Sequence, residues 1–116
     1  MQTIPLGQSD LKTTRLIYGC MRIPGTWNPA EIDDTRRREA FAALDAAFEA
    51  GYNHFDHADI YARGACESLF GEYLRSHPGL RDRIIITTKL GIRWAGDSAA
   101  DAPHRYDFSA AWIQSS

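Results

Sequence analysis

The sequence predicts an α/β protein built on a parallel sheet, and two observations carry that prediction. Short apolar segments rich in β-branched or aromatic residues alternate with longer segments whose apolar residues recur at helical spacing. The connections between most of these segments are short, and no repeat, low-complexity stretch or interdomain linker interrupts them. Such alternation favours βαβ units, in which parallel strands are joined by crossover helices. With 116 residues, the chain is expected to be one modest domain or part of a larger one.

The first predicted elements are two short strands joined by a turn. Residues 4–6 and 11–13 flank Gly7-Gln8-Ser9-Asp10, which is a turn-forming sequence, so an N-terminal hairpin is expected. Residues 15–20 then form a plausible first core strand. Glycine and proline punctuate residues 22–31, which we expect to be a loop.

A helix is predicted next, followed by a second core strand. Three residues near its start are able to cap it: Asp33, Asp34 and Thr35. Its apolar residues at helical spacing are Phe41, Leu44, Ala47 and Phe48. Gly51 stands where a left-handed C-cap belongs, and residues 52–56 then form a strand that ends on Asp56.

A second helix and a third core strand are predicted next, followed by a long loop. A helix is predicted over residues 66–76, because its apolar residues share one face and His77-Pro78-Gly79 stops it. Residues 84–89 are an apolar, β-branched run of the kind that is covered on both faces in parallel sheets. Residues 91–107 are expected to be a long polar loop.

The last predicted element is a helix that starts at the end of the sequence. Ser109 is its expected cap, Phe108 its hydrophobic staple, and Trp112 is expected to belong to the core. Three βα units cannot close an eightfold barrel, which needs about 250 residues. We therefore expect residues 1–116 to be the N-terminal portion of a larger domain, ending before a fourth strand.

Composition excludes several classes of function. The formal charge of −2 provides no field for nucleic acid or for an anionic membrane surface, and Arg36-Arg37-Arg38 lies among acids, as a solvated helix face would. Cys20 and Cys66 form no metal or redox motif, and the N-terminus lacks the features of a signal peptide. A cytoplasmic protein is the expectation.

The candidate site combines three residues from two strand ends. Asp56 ends one strand, Tyr61 follows it by five residues, and Lys89 ends the next strand. Catalytic side chains of parallel α/β proteins gather at the carboxyl ends of strands. Only two of the thirteen basic residues are lysines, so the choice of Lys over Arg at this strand end indicates a need for a compact ammonium. A Tyr phenol beside an ammonium and a carboxylate predicts a proton donor for carbonyl chemistry.

These residues also resemble a known family. Residues 51–61 (Gly-Tyr-Asn-His-Phe-Asp-His-Ala-Asp-Ile-Tyr), Glu67 with Gly71, and Thr87-Thr88-Lys89 are similar to the motifs of the aldo-keto reductases. Two segments resemble a bacterial branch of general oxidoreductases: the residues from Asp56 to Tyr61, and the helix start Tyr106-Asp107-Phe108-Ser109.

The resemblance implies an eight-stranded (β/α)8 TIM barrel that transfers hydride between NADPH and a small carbonyl or alcohol substrate. Asp56, Tyr61 and Lys89 match three members of the family's catalytic tetrad, with Tyr61 as general acid. By the same resemblance, Gly19, Cys20, Met21 and Asp56 lie near the nicotinamide.

The sequence departs from the family pattern in three ways. His57 stands where Thr is usual, and Ala62 stands where Gly is usual, with Gly64 nearby. The resemblance places the tetrad His beyond residue 116, and no histidine present substitutes for it. We therefore expect the 116 residues alone to be inactive.

Two other readings remain open. His54, Asp56, His57 and Asp59 are metal-ligand types, but only alternate residues of a strand share a face, so a TIM-barrel metal hydrolase is less favoured. A non-catalytic truncated relative that acts as a binding or assembly partner is the second alternative. The open sheet edges of such a chain favour self-association.

Three further side chains are interpreted singly. Trp27 and Trp94 fall in loops on the expected substrate side, where either is able to line a pocket. Cys20 is interpreted as a small buried residue, because no activating base is evident near it. Substrate identity and oligomeric state are left open by the sequence.

Overall fold

The computed structural model describes all of residues 1–116 and shows an α/β architecture with short strands. The strands are β1 (Thr3–Pro5), β2 (Lys12–Thr14), β3 (Tyr18–Gly19), β4 (His54–Asp56), β5 (Ile85–Thr87), β6 (Ile92–Arg93) and β7 (Arg105–Tyr106). The helices are α1 (Asp34–Glu49), α2 (Ala65–Ser76) and α3 (Ala110–Ser115), and four 3-10 turns lie at Cys20–Arg22, Pro29–Glu31, Tyr61–Gly64 and Arg81–Arg83.

The central feature is a three-stranded parallel sheet in the order β3-β4-β5. Its register aligns Gly19 with Asp56 and Asp56 with Thr87, so the three strands end at one level. The predicted parallel pairing is therefore present, with α1 joining β3 to β4 and α2 joining β4 to β5. The predicted N-terminal hairpin is also present, as the antiparallel pair β1-β2.

One face of the sheet packs against α1 and α2 through aromatic side chains. Phe55 is fully buried, and its ring centroid lies 4.7 Å from that of Phe48 and 5.3 Å from that of Phe70. Tyr73 stacks on Phe48 at 5.9 Å and donates a hydrogen bond from its hydroxyl to Asp45 at 2.6 Å. The helical periodicity of both segments is what turns these side chains toward the sheet.

The other face of β4 is polar and is closed by the hairpin. The imidazole of His54 lies between the Thr13 hydroxyl at 2.8 Å and the Thr87 hydroxyl at 2.6 Å. Asn53 accepts a hydrogen bond from the Thr14 amide at 2.8 Å and donates one to the Lys12 carbonyl at 2.8 Å. These bonds tie the hairpin to β4, which supports the strand whose end carries Asp56.

The helix ends follow the sequence closely. Asp33 caps α1 by accepting a hydrogen bond from the Arg36 amide at 2.9 Å. Gly51 follows α1 with φ of +87°, a left-handed conformation that glycine adopts without strain. Ser109 caps α3 by accepting from the Trp112 amide at 3.3 Å. The predicted helix starts and the Gly51 stop are thus confirmed.

Three expectations about the strands are wrong. The first core strand is Tyr18–Gly19 rather than residues 15–20, and Leu16 and Ile17 are exposed beside it. The last strand of the sheet ends at Thr87, two residues before Lys89. Its side chains are only half covered, because β5 is an edge strand and α1 and α2 cover one face of the sheet.

The segment after Gly91 also differs from its prediction. Residues 91–107 were expected to form a loop, but β6 and β7 pair within them as a small antiparallel hairpin. Trp112 is half-buried rather than part of the core. Its ring lies under the guanidinium of Arg93, whose Cζ is 4.1 Å from the ring centroid. The two strands have no alternation of apolar and polar residues that would predict them, because charged side chains hold the hairpin together.

Candidate active site

The carboxyl ends of β4 and β5 bring a carboxylate and an ammonium together. Lys89 Nζ lies 2.9 Å and 2.7 Å from the two carboxylate oxygens of Asp56, and it also donates to the His57 carbonyl at 2.9 Å. The side chain of Lys89 is 52% exposed, so the pair opens to solvent. Partial burial works against the charged form, but the Asp56 carboxylate and the Tyr61 hydroxyl outweigh it and raise the pKa of Lys89. The lysine is therefore a fixed positive charge at neutral pH.

Tyr61 is the third member of this group. Its hydroxyl oxygen lies 3.4 Å from Asp56 Oδ2, which is a long hydrogen bond. Lys89 Nζ lies 4.8 Å from the centroid of the Tyr61 ring, a cation–π distance. Asp56, Tyr61 and Lys89 thus meet at one point, as their positions in the sequence predict.

A strained turn positions Tyr61 at the start of the connection to α2. Ala62 and Arg63 have φ of 46° and 54°, and Gly64 follows with φ of 86°. Three successive left-handed residues are unusual, since the conformation costs an L-residue about 1–2 kcal/mol. The chain therefore reverses sharply after Tyr61 and enters α2 at Ala65.

Two neighbouring contacts hold the site against α2. The Thr88 hydroxyl donates to Glu67 at 2.5 Å, which joins the extension of β5 to the first turn of the helix. His57 is almost fully buried, with its ring centroid 4.6 Å from that of Phe70, and neither ring nitrogen has a hydrogen-bond partner. Burial lowers the pKa of His57, so the ring is neutral at pH 7.

The residues expected near a nicotinamide lie at the end of β3 and just after it, next to Asp56 at the end of β4. Gly19 is exposed, and a Cβ at this position would have open space around it. The Cys20 side chain is fully buried, and burial raises the pKa of its thiol to about 12. Met21 is exposed. A ligand at this edge would therefore meet the backbone of Gly19 and Cys20 and the side chain of Met21, next to Asp56.

Two cavities lie beside the connections that follow β3, β4 and β5. Trp27, Asn28, Arg63 and Trp94 line one of about 600 Å³, as the positions of both tryptophans predict. A second cavity of about 520 Å³ shares Arg63 and Trp94 with the first and is also lined in part by Asp59, Glu67 and Trp112. Arg63 borders a third cavity of about 330 Å³ as well, and no feature of its sequence neighbourhood singled it out.

The remaining candidate residues do not converge. His54 is taken up by two threonines on the polar face of β4, whereas His57 lies in the apolar layer. No three His, Cys, Asp or Glu side chains are grouped closely enough to hold a metal ion. No helix of the structure is long and apolar enough to span a membrane.

Comparison with known proteins gives the family. The family model described as "Aldo/keto reductase family" matches residues 15–116. The chain belongs to the aldo/keto reductase family. Its relatives include the uncharacterized oxidoreductase YcsN of Bacillus subtilis, 36% identical over 117 residues that cover 100% of this chain and 36% of that protein. They also include the 6-dehydroglucose reductase of Agrobacterium fabrum, 35% identical over 114 residues that cover 97% of this chain and 36% of that protein.

Solved structures agree with this assignment. The holo form of the aldo-keto reductase AKR11C1 from Bacillus halodurans superposes with a TM-score of 0.73 at 31% identity, over 99% of this chain and 33% of that one. This aldo/keto reductase chain thus spans about a third of the length of the relatives that it matches.

Proposed function

We propose that this chain carries the first part of the active site of a nicotinamide-dependent oxidoreductase acting on an aldehyde, a ketone or the corresponding alcohol. The observation that carries the proposal is the pairing of Lys89 with both oxygens of Asp56 beside Tyr61. Membership of the aldo/keto reductase family over residues 15–116 supports the same reaction class.

Tyr61 is the proton donor in this proposal. A phenol has an ordinary pKa of about 10, so in isolation it is a weak acid at neutral pH. The Lys89 ammonium, 4.8 Å from the ring, favours the phenolate that forms when Tyr61 gives up its proton. In reduction, hydride adds to the carbonyl carbon and the Tyr61 proton goes to the carbonyl oxygen. In oxidation, the Tyr61 phenolate accepts the hydroxyl proton of the alcohol as hydride leaves the alcohol carbon for the oxidised nicotinamide.

Asp56 has a positioning role. Its two oxygens hold Lys89 Nζ at 2.9 Å and 2.7 Å, which keeps the ammonium charged and directed toward the tyrosine. Since Asp56 ends a strand in register with Gly19 and Thr87, the sheet sets the geometry of the pair. Loss of the carboxylate is expected to free the lysine side chain rather than to remove a reacting group.

The residues present fit the nicotinamide end of the cofactor. The backbone at Gly19 is open where a side chain would stand, and it lies in register with Asp56 at the carboxyl end of the sheet. Gly19, Cys20, Met21 and Asp56 would line this end, and NADPH, when bound, would supply the hydride. We propose NADPH because of the family resemblance.

We infer that the 116 residues need further strands for catalysis. Relatives are about three times as long, and the proposed (β/α)8 barrel would continue the sheet at β3 and β5, whose outer edges are open. Leu16 and Ile17, which are 60% and 50% exposed beside β3, would be covered by that continuation. Sedimentation of the isolated chain shows whether a second copy covers them instead.

A fusion protein tests the proposal. Residues 1–116 are joined to the part of the Agrobacterium fabrum 6-dehydroglucose reductase that lies beyond its matching segment, and NADPH oxidation is followed with a panel of aldehydes. The intact reductase is the positive control, and the unfused chain is expected to show no turnover. We expect the fusion to be active and Tyr61→Phe to lower kcat by about 10²–10⁴-fold, the contribution of a general acid.

Matched variants make the result specific. Lys89→Met should lower kcat, because the charge that develops on Tyr61 as it gives up its proton loses the neighbouring ammonium. Tyr106→Phe removes a hydroxyl from a side chain that is 69% exposed and should change nothing. A folded fusion whose activity survives Tyr61→Phe would contradict the proposed role of Tyr61.

A further inference from the structure

Lys89 lies beyond the end of its strand, because β5 ends at Thr87, two residues earlier. The extension of β4 holds one flank of this segment through the backbone. The His57 amide donates to the Thr87 carbonyl at 2.7 Å, and the Asp59 amide donates to that of Lys89 at 3.1 Å. Thr88 lies between these two bonds, and its side chain supplies the contact on the other flank.

That contact comes from α2. The Thr88 hydroxyl donates to Glu67 Oε1 at 2.5 Å, which is a short hydrogen bond to a carboxylate. Hydrogen bonds of this charge-assisted kind are about twice as strong as neutral ones. Glu67 lies in the first turn of α2, where the positive end of the helix dipole favours a carboxylate. The segment that carries Lys89 is therefore held from two sides.

The Glu67 contact links the element that carries the proposed acid to the element that carries the ammonium. Tyr61 begins the left-handed turn that enters α2 at Ala65, so Tyr61 and Glu67 belong to one continuous element. Thr88 directly precedes Lys89. The distance of 4.8 Å between Lys89 Nζ and the Tyr61 ring centroid depends on how these two elements lie relative to each other.

The effect of Glu67 on Lys89 is geometric rather than electrostatic. Partial burial lowers the pKa of Lys89, and its hydrogen bonds to Asp56 and Tyr61 more than offset that effect. Asp56 contacts the ammonium directly, at 2.9 Å and 2.7 Å. Glu67 contacts the preceding residue instead, so it acts on the lysine only through the backbone of Thr88.

We propose that Glu67 is a positioning residue for the reaction, which holds Lys89 beside Tyr61 by accepting the hydrogen bond of Thr88. This inference rests on the proposed function, since it adds a residue to the same site. Without Glu67, the extension of β4 alone holds the segment, and the ammonium spends less time next to the phenol. A misplacement of about 1 Å caused by a residue outside the chemistry can lower a rate about 10²-fold.

The mobility of the Lys89 side chain tests the proposal without any turnover. Lys12 and Lys89 are the only lysines, so isotope-labelled lysine gives two side-chain signals in the NMR spectrum of the 116-residue chain. Lys89 donates three hydrogen bonds and should be ordered, whereas Lys12 is exposed and serves as the internal reference. Glu67→Ala and Thr88→Val should each lower the order parameter of Lys89 toward that of Lys12.

Conservative variants separate the hydrogen bond from the side chains that form it. Glu67→Gln keeps an acceptor oxygen and Thr88→Ser keeps the hydroxyl, so both should retain most of the order of Lys89. Glu72→Ala is the matched control, because it removes a carboxylate of the same helix whose ion-pair partner is Arg37 on α1. The double variant Glu67→Ala/Thr88→Val should lose no more order than either single variant, since both remove the same bond.

Kinetics of the fusion protein give an independent readout. Glu67→Ala and Thr88→Val should each lower kcat by about 10–100-fold, because the ammonium no longer stays beside Tyr61. The KM for the aldehyde should change less than kcat, since Glu67 is proposed to position the lysine and not to bind the substrate. Glu67→Gln should restore kcat to within about threefold of the unsubstituted fusion, and circular dichroism shows that each variant is folded.

The two proposals fail in different measurements. An ordered Lys89 in both Glu67→Ala and Thr88→Val, an equal loss of order in Glu72→Ala, or a kinetic change confined to KM would overturn the role of Glu67. If activity survives Tyr61→Phe, the proposed reaction fails, whereas the order of Lys89 in the isolated chain still decides whether Glu67 holds it.

Discussion

The part of the sheet under α1 and α2 and the segment after Gly91 are held together by different forces. Beneath the helices, apolar side chains such as Phe55, Leu44 and Phe70 are almost completely buried. From Ile92 to Ser116, no residue is buried. The first region thus has a hydrophobic core, and the second has none.

Charge takes the place of a core in the second region. The guanidinium of Arg93 bonds to Asp97 and, at 2.9 Å, to Asp107, while it lies over the ring of Trp112. Apolar burial is non-directional and independent of pH, whereas ion pairs weaken with salt and with protonation. The support beneath Asp56 is therefore insensitive to salt, whereas the segment after Gly91 depends on ion pairs that salt weakens.

Phe55→Ala should have the largest effect on this comparison. The side chain is fully buried, so its removal leaves a cavity and is expected to lower the free energy of unfolding by about 3–5 kcal/mol. Urea denaturation followed by circular dichroism measures this change. Ile113→Ala, at a side chain that is 47% exposed, should change stability by no more than about 0.5 kcal/mol. Equal losses would show that the two regions do not differ.

Gly91→Ala should weaken the charged region locally. Gly91 has φ of +112°, and a Cβ there would clash with the ring of Phe108, so we expect a loss of about 2 kcal/mol. Hydrogen exchange of the Asp107 amide, which donates to the Gly91 carbonyl at 2.7 Å, measures the local opening. Gly96 has φ of +79°, but no atom lies close to the position of an added Cβ. Gly96→Ala is therefore expected to lose only about 1 kcal/mol of stability. Similar losses for both would contradict the close packing of Phe108.

The pH dependence of stability should distinguish the two regions next. Burial lowers the pKa of His57 in the folded state, so the unfolded chain binds the proton more readily. This contribution to stability is complete above the ordinary pKa of about 6.5 and declines below it, by at most about 1.4 kcal/mol per pH unit, until the folded pKa is reached. Urea titrations between pH 7 and 5 measure the slope. His57→Thr should flatten the slope, and an unchanged slope in this variant would contradict the role of His57.

Ala62→Gly should have the smallest effect, and it should be stabilising. Relief of the left-handed strain at φ of 46° is worth about 1–2 kcal/mol, and the added freedom of glycine in the unfolded chain offsets part of it, which leaves about 0.5 kcal/mol. Thermal denaturation measures the gain. Ala65→Gly, at an ordinary helical φ of −65°, should instead lose about 0.5–1 kcal/mol. A loss in Ala62→Gly would mean that the methyl group contributes packing that outweighs the strain.

Local signals explain why much of the fold was predictable. Gly51 and Ser109 are each recognised from their own neighbourhood, and the cap of α1 is narrowed to Asp33, Asp34 or Thr35, because caps depend on a few adjacent residues. The strand lengths were less predictable, since the outer residues of an apolar run pair only where a neighbouring strand reaches them. The hairpin of β6 and β7 was missed because Arg93 and its carboxylate partners carry no period that a sequence reveals.

The sequence by itself determined the alternation of the core strands with α1 and α2, the family resemblance, and the placing of Asp56, Tyr61 and Lys89 at or shortly after the carboxyl ends of neighbouring strands, because each follows from short-range patterns. The tertiary structure decided that Lys89 Nζ meets both oxygens of Asp56, that Arg63 lies over Trp94, and that β5 is half covered. These features depend on which surfaces α1 and α2 cover and on the left-handed turn after Tyr61. Contacts between residues far apart in the chain are set by packing, which no local pattern encodes.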